Sequence, residues 1–252
     1  MAREDSIVAE VESPFNRLVV VDRQDGLRSL RFGRDGVDQS VFDPKRPSYV
    51  ALPYARVLPL FLAWVNDPRR ILLAGMGGGT IPMLLRRLLP EADIHVAELD
   101  PGVPPMAEEF MGFRKDPRVS VHIGDAADIV SELPAGFDVV ILDCFGRKRA
   151  PQHLAACDFL QRVRAILRPD GLAVWNIWTR HFNPQYDAWL ANFRTVFPDW
   201  FAARVRTRDQ EILFGLAAAE RKEGREVTVS GLPSRYGLEF DPLDWVEGEI
   251  RC

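Results

Sequence analysis

The chain has 252 residues, 47% of them hydrophobic and 27% charged, with 32 Lys plus Arg against 36 Asp plus Glu and a formal net charge of -4. These proportions exclude a disordered or fibrous chain, and a domain of this length can bury a core that needs no metal or disulfide staple. The slightly acidic balance also excludes a nucleic-acid partner engaged mainly through bulk charge, because that mode depends on Lys and Arg neutralising phosphates. Cys144, Cys157 and Cys252 form no CxxC pair and no His/Cys cluster at zinc-ligand spacing, which predicts a reducing compartment and no metal site. The opening MAREDSIVAEVESP carries acids where a signal peptide would be basic and then apolar. No apolar run reaches the roughly 20 residues of a membrane span. The expectation is a cytoplasmic protein with no membrane partner.

Along the chain, RLVVVDR (17–23), LRSLRF (27–32) and VDQSVF (37–42) are short β-rich runs, the second and third following Asp25-Gly26 and Asp35-Gly36. Asp-Gly between such runs signals a hairpin. Residues 1–48 therefore form a β-rich N-terminal region, too small to stand alone and expected to dock on the rest. In YVALPYARVLPLFLAW (49–64) the large apolar residues recur at helical spacing, predicting one helix broken or kinked near Pro53 and Pro59. From residue 70 short apolar runs alternate with helix-length stretches: ILLAG (71–75), DIHVAEL (93–99), VSVHIGD (119–125), DVVILD (138–143) and LAVWNIW (172–178). Between them TIPMLLRRLLP, VPPMAEEFMGF, AADIVSEL and HLAACDFLQRVRAILRP are amphipathic enough to cover a sheet. This alternation predicts an α/β fold with a parallel sheet over residues 49–218. A further helix is expected from Gln185 to Val196, and FAARVRT (201–207) with EILFGLA (211–217) as an antiparallel hairpin at the sheet edge. The tail, 219–252, is charged and then apolar at Leu238, Phe240, Leu243 and Trp245, so it is expected to pack only in part.

The chemistry concentrates at the ends of the predicted strands. ILLAGMGGGT runs from a buried-strand pattern into Gly75, Gly77, Gly78 and Gly79, residues that allow a tight turn and a close approach of backbone to ligand. The next strand ends in Glu98, placed to accept hydrogen bonds from ribose hydroxyls. The third ends in Gly124-Asp125-Ala126, where a carboxylate can take an adenine amino group, and the fourth in Asp143. A dinucleotide fold would show GxGxxG facing a pyrophosphate, but Thr80, Ile81 and Pro82 follow Gly79. The pattern suits a ligand with ribose and adenine and no pyrophosphate, such as S-adenosylmethionine or a derivative.

GMGGGT, VAELD, VHIGDA and DVVILD, preceded by a β-rich region containing Gln39-Ser40, resemble the spermidine synthase family of aminopropyltransferases, in particular its shorter bacterial spermidine-synthase-like branch. The resemblance covers residues 15 to 217. It implies a Rossmann-like, seven-stranded class I methyltransferase fold with a small N-terminal β-rich domain, a donor that is S-adenosylmethionine or its decarboxylated form, a small-molecule acceptor and a homodimer. By that resemblance Glu98 holds the ribose, Asp125 with Ala126 the adenine, Gly75 to Gly79 the methionine-derived portion, and Asp143 lies beside the sulfonium. Gln39, Tyr49 and Tyr54 fall where the acceptor would be enclosed.

Three departures from the family pattern bear on the reaction. The family's glycine loop reads GGGDGG, and Gly78 stands where that Asp faces the donor's terminal amine. The family's DSxDP supplies a second Asp that helps deprotonate the attacking amine; here Cys144, Phe145 and Gly146 follow Asp143. The family's Tyr-His-Glu is also absent around Tyr49. An alkylammonium with a pKa near about 10 must lose a proton before it attacks, and carboxylates serve that step. Loss of these acids therefore favours methyl transfer or a different acceptor. GRKRAPQH (146–153) corresponds to the family's gate, and its Arg147, Lys148 and Arg149 would favour an anionic acceptor over a polyamine. His153 and His181 both follow strand ends and are candidate general bases. Cys144, His95 and His122 read as packed residues. Trp175 and Trp178, three apart in one strand, should face opposite sides of the sheet. Three functions stay open: a spermidine-synthase-like alkyltransferase, a methyltransferase, and a nucleoside-binding protein without catalysis.

Overall fold

The computed structural model describes residues 4–144, 151–207, 209–218 and 229–250. The N-terminal region is a four-stranded antiparallel sheet of β1 (Ser6–Glu12), β2 (Arg17–Asp22), β3 (Arg28–Phe32) and β4 (Asp38–Phe42), paired in chain order. Strand β1 escaped the sequence reading because SIVAEVE has one charged residue in every few and stays largely exposed as an edge strand. The segment after it breaks as the prolines require. Pro53 opens the short helix α1 (Pro53–Val57), and Pro59 lies in a 3-10 helix over Leu58–Ala63.

The main sheet contains β5 (Arg70–Ala74), β6 (Asp93–Glu98), β7 (Val119–Ile123), β8 (Phe137–Leu142), β9 (Leu167–Trp178), β10 (Trp200–Arg204) and β11 (Gln210–Leu216). Their order is β10-β11-β9-β8-β5-β6-β7, with β5 to β9 parallel and β10 and β11 antiparallel. β8 is buried at all six positions because helices cover both faces of a parallel sheet. The covering helices are α2 (Thr80–Leu88), α3 (Val103–Phe110), α4 (Ala126–Glu132), α5 (Cys157–Ile166) and α6 (Tyr186–Val196). The stretch expected as one long helix, HLAACDFLQRVRAILRP, instead divides into a 3-10 turn over Gln152–Ala155, α5, and the first residues of β9. Trp175 faces Trp189 and Phe193 of α6, whereas Trp178 packs on Phe182.

The N-terminal sheet docks as expected. Leu18, Val20, Leu30 and Phe32 belong to the same buried cluster as Ile71, Leu73 and Val96 of the main sheet. From the tail, α7 (Leu232–Tyr236) and a 3-10 turn over Pro242–Trp245 pack on the 3-10 segment and on α1. Leu232, Leu238 and Val246 are buried there, while Leu243 stays exposed. No helix among the described residues is long and apolar enough to cross a membrane.

Candidate active site at the carboxyl edge of the sheet

After β5 the chain moves to β6 and β7 on one side, then returns to β8 on the other, so the direction of winding reverses beside β5. A crevice opens at such a reversal, outside the carboxyl ends of the strands. Here it is a cavity of about 270 Å³, and its lining includes Gly75, Met76 and Gly77 after β5, Glu98 to Asp100 after β6, Gly124 to Ala126 after β7, and Asp143 with Cys144 after β8. Gln39 and Ser40 of β4, Tyr54 of α1, and Pro151, His153 and Leu154 close the remaining walls. Among the described residues the lining contains four carboxylates and no Lys or Arg.

Each carboxylate is held by its surroundings. The buried Glu98 accepts Met76 N–H at 2.9 Å on Oε2 and Asp100 N–H at 2.9 Å on Oε1; burial nonetheless raises its pKa above the usual carboxylate value. Asp125 caps α4, its Oδ1 accepting Ala127 N–H at 2.8 Å, and His153 Nε2 lies 2.9 Å from its Oδ2. Asp143 accepts the Tyr54 hydroxyl at 3.0 Å and Asn176 Nδ2 at 2.8 Å. Burial drives the Asp143 pKa up to about 7, against the lowering effect of those two hydrogen bonds. Burial of Tyr54, and after it the neighbouring Asp143 charge, push the Tyr54 phenol far up.

Asp100 was not singled out from sequence. It is fully buried and accepts Ser13 Oγ, Asn16 Nδ2 at 3.1 Å and Gly102 N–H at 2.9 Å. The Asp-Pro-Gly that follows Glu98 was the available signal, since Asp commonly bonds the backbone two residues on. Asn176 was missed too, although one amide inside the apolar run LAVWNIW marks a buried polar partner.

Several expected residues stand elsewhere. A Cβ at Gly78 would lie 2.8 Å from the Ser40 Cβ and one at Gly79 2.7 Å from the Phe113 Cβ, so these two glycines serve packing and neither lines the cavity. Gly75 has φ +97°, and a Cβ there would sit 2.3 Å from the Asp143 carbonyl oxygen; it lets β5 and β8 close on each other. Tyr49 is also outside the cavity lining, stacked under Arg46 and Arg56. His181 is exposed, edge-on to Phe182, and not part of the lining. His95 and His122 meet across β6 and β7 with ring nitrogens 3.1 Å apart, again outside the lining. Burial raises the Cys144 thiol pKa far above its ordinary value, which disarms it as a nucleophile. Arg147, Lys148 and Arg149 lie outside the described residues.

A sequence model described as the spermine/spermidine synthase domain matches residues 58–200, more than half the chain. The chain belongs to the spermine/spermidine synthase family. Its relatives include the polyamine aminopropyltransferase of Vibrio vulnificus, 29% identical over 210 residues, covering 80% of this chain and 69% of that protein. A second group is the eEF1A lysine and N-terminal methyltransferases. The bovine protein is 32% identical over 161 residues, or 60% of this chain, and the chain spans only 23% of its length. Among solved structures, a probable spermidine synthase from Corynebacterium glutamicum superposes with a TM-score of 0.76 at 20% identity, covering 91% of this chain and 87% of that one. Human methyltransferase-like protein 13 in complex with SAH gives 0.65 at 26% identity, covering 79% of this chain and 96% of that one. Proteins named for aminopropyl transfer and for methyl transfer thus both stand among this chain's relatives, and the chain shares the class I methyltransferase fold.

Proposed function

We propose that the cavity binds an adenosyl sulfonium, S-adenosylmethionine or its decarboxylated form, and that the protein moves an alkyl group from it to a small acceptor. The observation that carries this reading is the convergence of Glu98, Asp125 and Asp143 from three parallel strands on one cavity whose described lining has no cationic Lys or Arg. A positively charged sulfonium is favoured there on charge grounds alone. The Glu98 carboxylate accepts the Met76 and Asp100 N–H groups, and its remaining acceptor capacity serves a ribose hydroxyl. Asp125 takes the adenine amino group and Asp143 faces the sulfonium. In the transfer the sulfur–carbon bond breaks with its electron pair going to sulfur, leaving a neutral thioether that needs no acid. The acceptor atom forms the new bond to carbon, and its proton passes to Asp143 when that carboxylate is ionised.

The transferred group is methyl or aminopropyl. Spermidine-synthase membership favours aminopropyl. Methyl transfer is favoured by the eEF1A lysine and N-terminal methyltransferases among this chain's relatives. Supplying both donors with a pool of acceptors distinguishes them: S-adenosylhomocysteine as product means methyl transfer, and methylthioadenosine means aminopropyl transfer. Neither product, with thermal stabilisation by an adenosyl ligand of about 2.7 kcal/mol at a hundredfold excess over Kd, would support binding without catalysis. No response to any adenosyl ligand, or undiminished affinity in Glu98→Ala, overturns the site.

A further inference from the structure

We infer that His153 is a positioning residue for the nucleobase, fixing the Asp125 carboxylate so that the site distinguishes a 6-aminopurine from a 6-oxopurine. This rests on the reading of the cavity as an adenosyl site. Asp125 is anchored on one side by α4, through Ala127 N–H at 2.8 Å. That single bond leaves the carboxylate free to rotate, because the terminal torsion of an Asp side chain is broad. His153 Nε2 supplies the second anchor, at 2.9 Å from Oδ2 and 3.1 Å from Oδ1. Nε2 carries the proton in this pair, since a carboxylate that already receives N–H donors offers only acceptor sites.

His153 itself is delivered by a fixed element. Its 3-10 turn is tied to α6 and the preceding loop, where Asn192 Nδ2 donates to Ala155 O at 2.9 Å and Gln152 Nε2 to Gln185 Oε1 at 3.2 Å. The two anchors use part of the carboxylate's acceptor capacity and leave the remainder facing the cavity. Leu99, an apolar side chain left 40% exposed, and the buried Leu154 line the same cavity and supply apolar surface of the kind a purine ring requires. An amino group donates to a fixed acceptor, whereas a carbonyl at the same ring position presents oxygen to oxygen. A carboxylate free to turn away loses part of that distinction. His153 therefore acts on donor selection, and its place beside Asp125 replaces the general-base role that its position in sequence suggested.

The test compares affinities for S-adenosylhomocysteine and S-inosylhomocysteine in the parent, His153→Ala and His153→Gln. The parent should prefer the adenosyl compound. His153→Ala should lose about tenfold in adenosyl affinity, the order expected for a hydrogen bond to a charged group, with inosyl affinity unchanged. His153→Gln, whose amide nitrogen reaches the same place, should restore the preference. A parent that discriminates while His153→Ala matches it, or a loss equal for both ligands, overturns the inference alone. A parent that binds neither ligand overturns it together with the adenosyl reading.

Discussion

Asp143 is the side chain whose charge state the protein leaves undecided near neutrality. Burial raises its pKa to about 7, while the Tyr54 hydroxyl and Asn176 amide hold its oxygens in place. A sulfonium bound beside it favours the ionised form and lowers that pKa. The sign follows: between the lowered value and about 7, donor binding must release a proton, and donor affinity must weaken as pH falls through that window. The thioether product carries no sulfonium charge and should release almost none. Titration calorimetry at pH 6.5 in buffers of different ionisation enthalpy reads this directly, with S-adenosylmethionine against S-adenosylhomocysteine as the matched pair. Asp143→Asn should abolish the difference. Equal proton release by both ligands would show that Asp143 does not face the sulfonium. The same coupling makes chemical sense, since arrival of the donor would create the carboxylate that the acceptor's proton requires.

α1 is only five residues long, too short to persist by its own hydrogen bonds, yet it carries Tyr54 to Asp143. It is held from the far side. The buried Arg56 donates through Nε to the Val50 carbonyl and lies 4.1 Å from the Trp245 ring centre, with Tyr49 and Phe240 completing the enclosure. A desolvated cation over an aromatic face contributes about 2 kcal/mol. Trp245→Ala should therefore destabilise the protein by about that amount in urea melts. Combined with Arg56→Ala it should cost less than the sum of the two, because the variants delete one shared contact; full additivity would assign the tail no role in holding α1. Here the sequence was only partly legible. Pro53 and Pro59 announced where the helix breaks, and glycines and acids at strand ends announced the cavity, because backbone geometry demands those residue types locally. Tyr54 with Asp143, 89 residues apart, and Arg56 with Trp245 leave no local trace, since such pairs arise only when the sheet brings distant segments together. Gly78 and Gly79, expected at the donor, stand outside the cavity lining and abut Ser40 and Phe113, and a glycine needed for such packing has the same sequence signature as one that lines a ligand.

At the scale of the molecule the question is whether the N-terminal sheet is a separate unit. Its apolar face shares one buried cluster with the main sheet, and the seam is also polar, with Ser13 and Asn16 bonded to the buried Asp100 next to Glu98. Ser40 further bonds Thr80 at the start of α2 at 2.9 Å. Separating the sheets would strand a buried carboxylate and expose the wall of the cavity, so both should unfold together. Calorimetry should give one transition with equal calorimetric and van't Hoff enthalpies, and saturating S-adenosylhomocysteine should move that single transition upward. Gly112 probes the seam from the other side. It has φ +73°, and a Cβ there would lie 2.4 Å from the Phe42 ring. Gly112→Ala should cost roughly 1 to 3 kcal/mol through overpacking, and it should lower the whole transition without splitting it. An early N-terminal melting step, in the parent or in Gly112→Ala, would instead make the β sheet an independent lid over a cavity formed by the main domain alone.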